Sequence, residues 1–261
     1  MRGAKIVLKN IMKKPKILLF DIETMANLVY TWGKYEQDVI AYKRHWYMLS
    51  FAYKWLGENK TYVCSLPDYS IYKKDKFNDY FLTKELWNLF NEADIVIAHN
   101  GQAFDVKKVT SRFLKHGFPP PSPYKQVDTK LVAKKYLKQD SNKLDDLGDY
   151  FGIGRKLTHE GFNLWLGCEA GDKASWKKMC QYNKQDVMLL EKVYNKLLPY
   201  ITNHPNLAIY TGNNQSCPNC ASSDIIKDGK SYRSSGIWQK WKCKSCTSWH
   251  SSPLKDNALI R

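Results

Sequence analysis

No stretch of this 261-residue chain reaches the ~18 uninterrupted apolar residues of a membrane span. Behind the basic N-terminus, Ile6-Val7-Leu8 is too short for a signal-peptide core. The expectation is a soluble, intracellular, cytoplasmic protein with no membrane partner. No internal repeat is present, so no repeat array is expected. Cysteine offers no disulfide framework, because seven is an odd number and Cys64, Cys168 and Cys180 are scattered. Those three read as buried thiols in a reducing compartment. Acidic side chains are in short supply. There are 25 Asp and Glu against 41 Lys and Arg, a net charge of +16. That excess favours a polyanionic partner, most simply nucleic acid, over a merely solvated basic surface. Lys- and Asn-rich usage hints at an AT-rich phage or bacterial genome.

The length suits one sizeable domain plus a small module. Residues 1–15 read as a basic lead-in. A strand is predicted over 16–23, an irregular stretch over 24–45, and two strands over 47–56 and 61–64 joined at Gly57-Glu58-Asn59. Lys84–Glu92 has helical spacing behind Thr83 as a cap. Asp94–Ala98 reads as a short buried strand, 104–116 as a helix stopped by Gly117, and 125–128 as a further short strand. Later segments read as helices, including 142–151 and a long one over Trp176–Leu198 ended by Pro199. Strands, then strand–helix alternation, then helices suggest an α/β fold, a mixed sheet flanked by helices. Beyond His204-Pro205-Asn206 the chain is rich in Ser, Cys, Lys and Trp. The boundary is placed there, giving domains 16–204 and 205–261.

Asp21 and Glu23 end the apolar run Ile17-Leu18-Leu19-Phe20. Alternate residues of a strand leave one face together, so the two carboxylates repel unless a cation lies between them. A solvated acidic turn is the other reading. Asp105 follows a buried strand and opens a helix, where it is either a ligand or cap chemistry. Tyr182 and Asp186 stand four apart on one helix face, beside apolar Val187, Leu190 and Val193. An acid there needs a partner, unless the pair is a tyrosine bonded to a surface aspartate.

Asp21, Glu23, Asp105 and Asp186, with Tyr182 four before the last, resemble the DEDD 3′–5′ exonuclease superfamily, tyrosine subclass. Phe-Asp-Ile-Glu-Thr, Asn-Gly-Gln-Ala-Phe-Asp and Tyr-Asn-Lys-Gln-Asp-Val are similar to the proofreading exonuclease domains of B-family DNA polymerases. Val127-Asp128-Thr129 and Lys143-Leu144-Asp145-Asp146-Leu147 also resemble segments there. The resemblance covers about residues 16–200. It implies a ribonuclease H-like fold with a mixed five-stranded sheet, and two Mg²⁺ or Mn²⁺ ions. Asp21 would bridge both ions. Glu23 and Asp186 would complete the ion that activates water, and Asp105 would hold the other. Tyr182 would orient the water, while Asn100 and Phe104 would shape the substrate channel. The hard oxygen donors suit those ions independently. His99 reads as a structural neighbour, and Asp128 as a strand-end cap or an acid behind the ligands. Single-stranded DNA is the favoured substrate. A non-catalytic adaptor, an RNA exonuclease and a structure-specific endonuclease on the same fold are the alternatives.

Cys217-x-x-Cys220 and Cys243-x-x-Cys246 lie 22 residues apart. Two such knuckles suit one tetrahedral structural Zn²⁺, favoured over disulfides or redox pairs in a reducing setting. The gap has room for a hairpin with arms at 231–233 and 239–242. The segment resembles zinc ribbons, including those of transposases. Arg233, Lys240, Trp241 and Lys242 are its candidate nucleic-acid contacts. The alternative is that the aromatics merely cover the metal core.

Overall fold

A computed structural model describes residues 14–35, 38–213 and 215–254. Most of the basic lead-in over 1–15 lies outside the described residues. The chain divides into a compact unit Lys16–Leu197 and a second one from Leu198 onward. That division falls a few residues before the change in composition at 205.

The first unit runs β1 (Ile17–Thr24), β2 (Leu28–Tyr30), β3 (Ala41–Arg44), β4 (Met48–Trp55), β5 (Tyr62–Ser65), α1 (Tyr80–Glu92), β6 (Ile95–Ala98), α2 (Asp105–Lys115), β7 (Lys125–Asp128), α3 (Thr129–Tyr136), α4 (Leu144–Tyr150), α5 (Asn163–Ala170) and α6 (Lys173–Leu197). Five strands form one mixed sheet in the order β5-β4-β1-β6-β7. β1 is its centre and is covered on both faces, which is why its first four residues are uniformly apolar. Leu18, Phe20 and Ile22 pack into a core with Leu82, Leu86 and Phe90 of α1. The opposite face is covered by α6, which packs on β4, β1 and β5.

Pairing along β1 is unequal, and this opens the site. β4 runs antiparallel along the strand from Leu18↔Trp55 to Thr24↔Met48. β6 runs parallel only over Ile17–Leu19. The half of β1 that carries Asp21 and Glu23 therefore has no strand on its β6 side.

Three local expectations are corrected. The stretch 24–45 contains the β2–β3 hairpin, whose exposed residues and slipped register at Leu28/Val29 leave no apolar alternation to read. α1 begins at Tyr80, so Thr83 is a buried residue inside the helix and not its cap. α6 stops at Leu197, and Pro199 sits in a short 3₁₀ turn that follows.

The second unit contains α7 (Leu207–Thr211), β8 (Ile225–Arg233), β9 (Gly236–Cys243) and β10 (Trp249–Pro253). The last three form an antiparallel sheet ordered β10-β9-β8. The expected hairpin is there and is longer than its predicted arms. The third strand, β10, was not expected. No helix among the described residues is long and apolar enough to cross a membrane.

Candidate active site and four-cysteine centre

Strand alternation places Asp21 and Glu23 on the face of β1 toward α6, and Asp186 of α6 meets them there. Carboxylate oxygens of the three lie within 4.8 Å of one another. Asp186 is fully buried, and its Oδ1 has no hydrogen-bond partner. Asp105 is also buried but stands outside that cluster of three.

Their surroundings raise the proton affinity of all four acids. Burial, then Asp105, Asp186 and Glu23, push Asp21 well above the ordinary carboxylate range. Burial and Asp186 push Glu23 up to about 8. Burial pushes Asp105 up to about 7. Burial also raises Asp186, against the pull of Lys156. An acidic cluster under such strain, with one oxygen orphaned, fits divalent cations.

Tyr182 is buried one helical turn before Asp186, with its ring edge-on to His159 at 4.9 Å. Burial and Asp186 push its hydroxyl up to about 12.

Two residues escaped the sequence reading. Lys156 reaches in from the segment between α4 and α5, with Nζ 2.6 Å from Asp186 Oδ2 and 3.1 Å from the Tyr182 hydroxyl. Burial alone would lower its ammonium, but Asp186 and Asp21 outweigh that and raise it. Asn183 is fully buried and donates to Asp21 Oδ2 at 2.7 Å, while its own oxygen accepts from Ser50 at 3.0 Å. It ties α6 to β1 and β4. A buried amide next to Tyr182 could have been suspected from helix phase; Lys156 carries no such signal.

The turn after β6 is built around Asp128. That side chain caps α3 through Lys130 N at 3.0 Å and also accepts from Asn100 N at 2.9 Å and Gln102 N at 3.0 Å. Asn100 is thus held at φ +67°, and Gly101 follows where a Cβ would come within 2.6 Å of Ala98 Cβ. His99 donates from Nε2 to Asn142 O at 2.9 Å, and Nδ1 lies 2.9 Å from Thr129 Oγ1. Burial lowers its ring to about 4. Both nitrogens are committed to packing, as a structural neighbour requires. Phe104 is 41% exposed at the start of α2, under the Lys108 ammonium.

In the second unit the four sulfurs also lie within 4.8 Å of one another. Cys217–Cys246 and Cys220–Cys243 are 3.5 and 3.7 Å apart. A tetrahedron with ~2.3 Å metal–sulfur bonds has edges of about 3.8 Å, so the donor set fits zinc. Cys220 and then His250, 3.2 Å away, draw the Cys217 thiol down to about 3, against burial. The four candidate contacts do not share a face. Arg233, Lys240 and Lys242 lie on one side of the sheet and Trp241 on the other. Lys240 and Lys242 both reach the Trp249 ring, and Arg233 bonds Ser251 at 2.7 Å. Trp241 instead donates to Ser252 at 2.9 Å.

Carboxylates gathered from the central strand and longest helix of a mixed five-stranded sheet define a nuclease-type α/β domain suited to divalent cations. Residues 18–198 match the RNase_H superfamily, and the chain belongs to that family. A similar solved structure is the family B DNA polymerase from the hyperthermophilic archaeon Pyrobaculum calidifontis. It is 16% identical with a TM-score of 0.54, and the match covers 71% of this chain and 25% of the polymerase. The chain thus matches about a quarter of that polymerase's length, and the likeness is one of fold. No curated protein sequence matches this chain.

Proposed function

We propose that the protein is a metal-dependent 3′–5′ exonuclease of the tyrosine-type DEDD class, with single-stranded DNA as its favoured substrate. The observation that carries this reading is the meeting of Asp21, Glu23 and Asp186 within 4.8 Å, with the buried Asp186 Oδ1 left unpartnered. Two Mg²⁺ or Mn²⁺ ions, when bound, would supply an activated water and neutralise the leaving oxygen. Asp21, Glu23 and Asp186 would hold one ion, and Asp21 with Asp105 the other. The Tyr182 hydroxyl, steadied by Lys156, would orient the water. Asn183 would keep Asp21 in place. Phe104 offers an exposed ring to a terminal base, and Asn100 shapes the turn beside it. The direction of digestion and the strand preference rest on the motif resemblance. In the second unit, Cys217, Cys220, Cys243 and Cys246 would hold one structural Zn²⁺.

The test follows 5′-labelled single-stranded DNA, duplex DNA and RNA with Mg²⁺, Mn²⁺ or EDTA. A ladder shortening from the 3′ end, fastest on single-stranded DNA, is the expected result. Asp21→Ala and Asp186→Asn should each slow it about a thousandfold or more, roughly 4 kcal/mol of barrier. Undiminished digestion in either variant sinks the assignment.

A further inference from the structure

We infer that one face of the ribbon sheet, bearing Arg233, Trp238, Lys240, Lys242 and Trp249, is a platform for single-stranded nucleic acid. It deepens the nuclease reading and rests on it for the identity of the polyanion. Strand alternation puts Trp238, Lys240 and Lys242 of β9 on one side. β10 sets Trp249 opposite Lys242 and Ser251 opposite Lys240. The side chains meet as the register requires. The Arg233 guanidinium lies 4.3 Å from the Trp238 ring centre. The Lys240 and Lys242 ammonium groups lie 5.8 and 5.5 Å from that of Trp249. A cleft of about 390 Å³ opens among Arg233, Lys240, Trp249 and Ser251.

Two features separate this face from a mere lid on the metal core. The cysteine side of the sheet has its own cover, since Trp241 lies with Lys227 beside the cavity that Cys217 and Pro218 line. Trp249 is not needed there, and it is 50% exposed. The charge is also one-sided. The face itself carries Arg233, Lys240 and Lys242, and from Gly229 to Leu254 the chain has no Asp or Glu. Trp238 and the Trp249–Lys242 pair lie about 14 Å apart along the sheet, four residues at ~3.4 Å each, with Lys240 between them. Flat rings alternating with cations suit unpaired bases and the phosphates that join them. In a duplex the bases are already stacked on each other and cannot use the rings.

The test uses the full chain carrying Asp21→Ala, so that the probe is not consumed whether or not the nuclease reading holds. Anisotropy of labelled oligo-dT, oligo-rU and a blunt duplex is measured across a salt series without Mg²⁺. Zinc content per chain reports whether each variant keeps its ribbon. Trp249→Leu should weaken oligo-dT binding about tenfold, with Trp249→Phe recovering part of the loss. Lys240→Gln/Lys242→Gln should flatten the log–log salt slope by about 1.4, two phosphates at ~0.7 each. The dT and rU arms tell which sugar is preferred. Zinc-loaded variants that bind oligo-dT as tightly as the parent overturn the inference, as does an equal loss on the duplex. If digestion fails but these binding losses appear, the nuclease reading falls and the platform stands.

Discussion

Glu23 and Asp105 are the residues whose protons should govern stability near neutral pH. Their folded values of about 8 and about 7 lie far above the ordinary 4.5 and 3.8. Between those limits the folded state holds protons that the unfolded chain has released, so stability falls as pH rises. The contribution is complete below about pH 4 and gone by about pH 8. Divalent cations bound there would replace the protons, so their affinity should rise over the same window. Thermal melts from pH 5 to 8.5 without Mg²⁺ should therefore show a falling midpoint. Added Mg²⁺ should flatten the trend, and Glu23→Gln should reduce it. A midpoint that is flat without Mg²⁺, or as steep in Glu23→Gln, would show that these carboxylates are not strained. Asp21 and Glu23 were legible as a pair because a strand has period two. The strain was not legible, because it depends first on burial and then on Asp105 and Asp186 arriving from distant parts of the chain.

At the scale of elements, the irregular segment between α4 and α5 supplies a cation, Lys156, that contacts both Asp186 and Tyr182. Asp145 anchors it, accepting from Lys156 N at 2.8 Å and from Arg155 at 3.1 Å. Gly148 lets it approach α4, since a Cβ there would lie 2.4 Å from Gly154 O. Lys156→Ala leaves Asp186 without its counter-charge. Breaking a buried pair can cost 3–5 kcal/mol, but the Lys156 side chain is 30% exposed, so about 1–2 kcal/mol is expected. Chemical denaturation without Mg²⁺ measures that loss, which saturating Mg²⁺ should shrink. An equal loss with and without Mg²⁺ would mean that Lys156 serves packing alone. The contrast in legibility is physical. β1 and α6 announce themselves by an apolar run and by apolar periodicity. The Lys143–Leu147 segment resembled its counterpart, and its Asp145 proves to hold the loop. Lys156 has no such pattern, being one of 41 Lys and Arg residues in a segment without periodicity. β10 was missed for a similar reason, since Trp249-His250-Ser251-Ser252-Pro253 offers no alternating apolar face.

Across the whole molecule, the two units draw their stability from different sources. Lys16–Leu197 buries a large apolar core on both faces of its sheet. The ribbon has few aliphatic side chains to bury, and buried Cys217 and Cys243 stand where a core would be. A structural zinc held there, as proposed, would contribute about 10–16 kcal/mol at neutral pH, enough to account for the module's folding free energy. The stripping reagent must be a zinc-selective chelator that leaves Mg²⁺ in solution, so that any cation at the carboxylates is undisturbed. Amide hydrogen exchange should then rise to unfolded rates across residues 216–254, while β1, β4 and α6 stay protected. Affinity for single strands should fall further than the rate of cleavage at saturating substrate, because the carboxylates and Tyr182 all lie in the other unit. Continued protection of β8 and β9 after one zinc per chain has been removed would show that the ribbon folds on its own apolar contacts. Loss of protection in β1 and α6 as well would show that the metal supports both units.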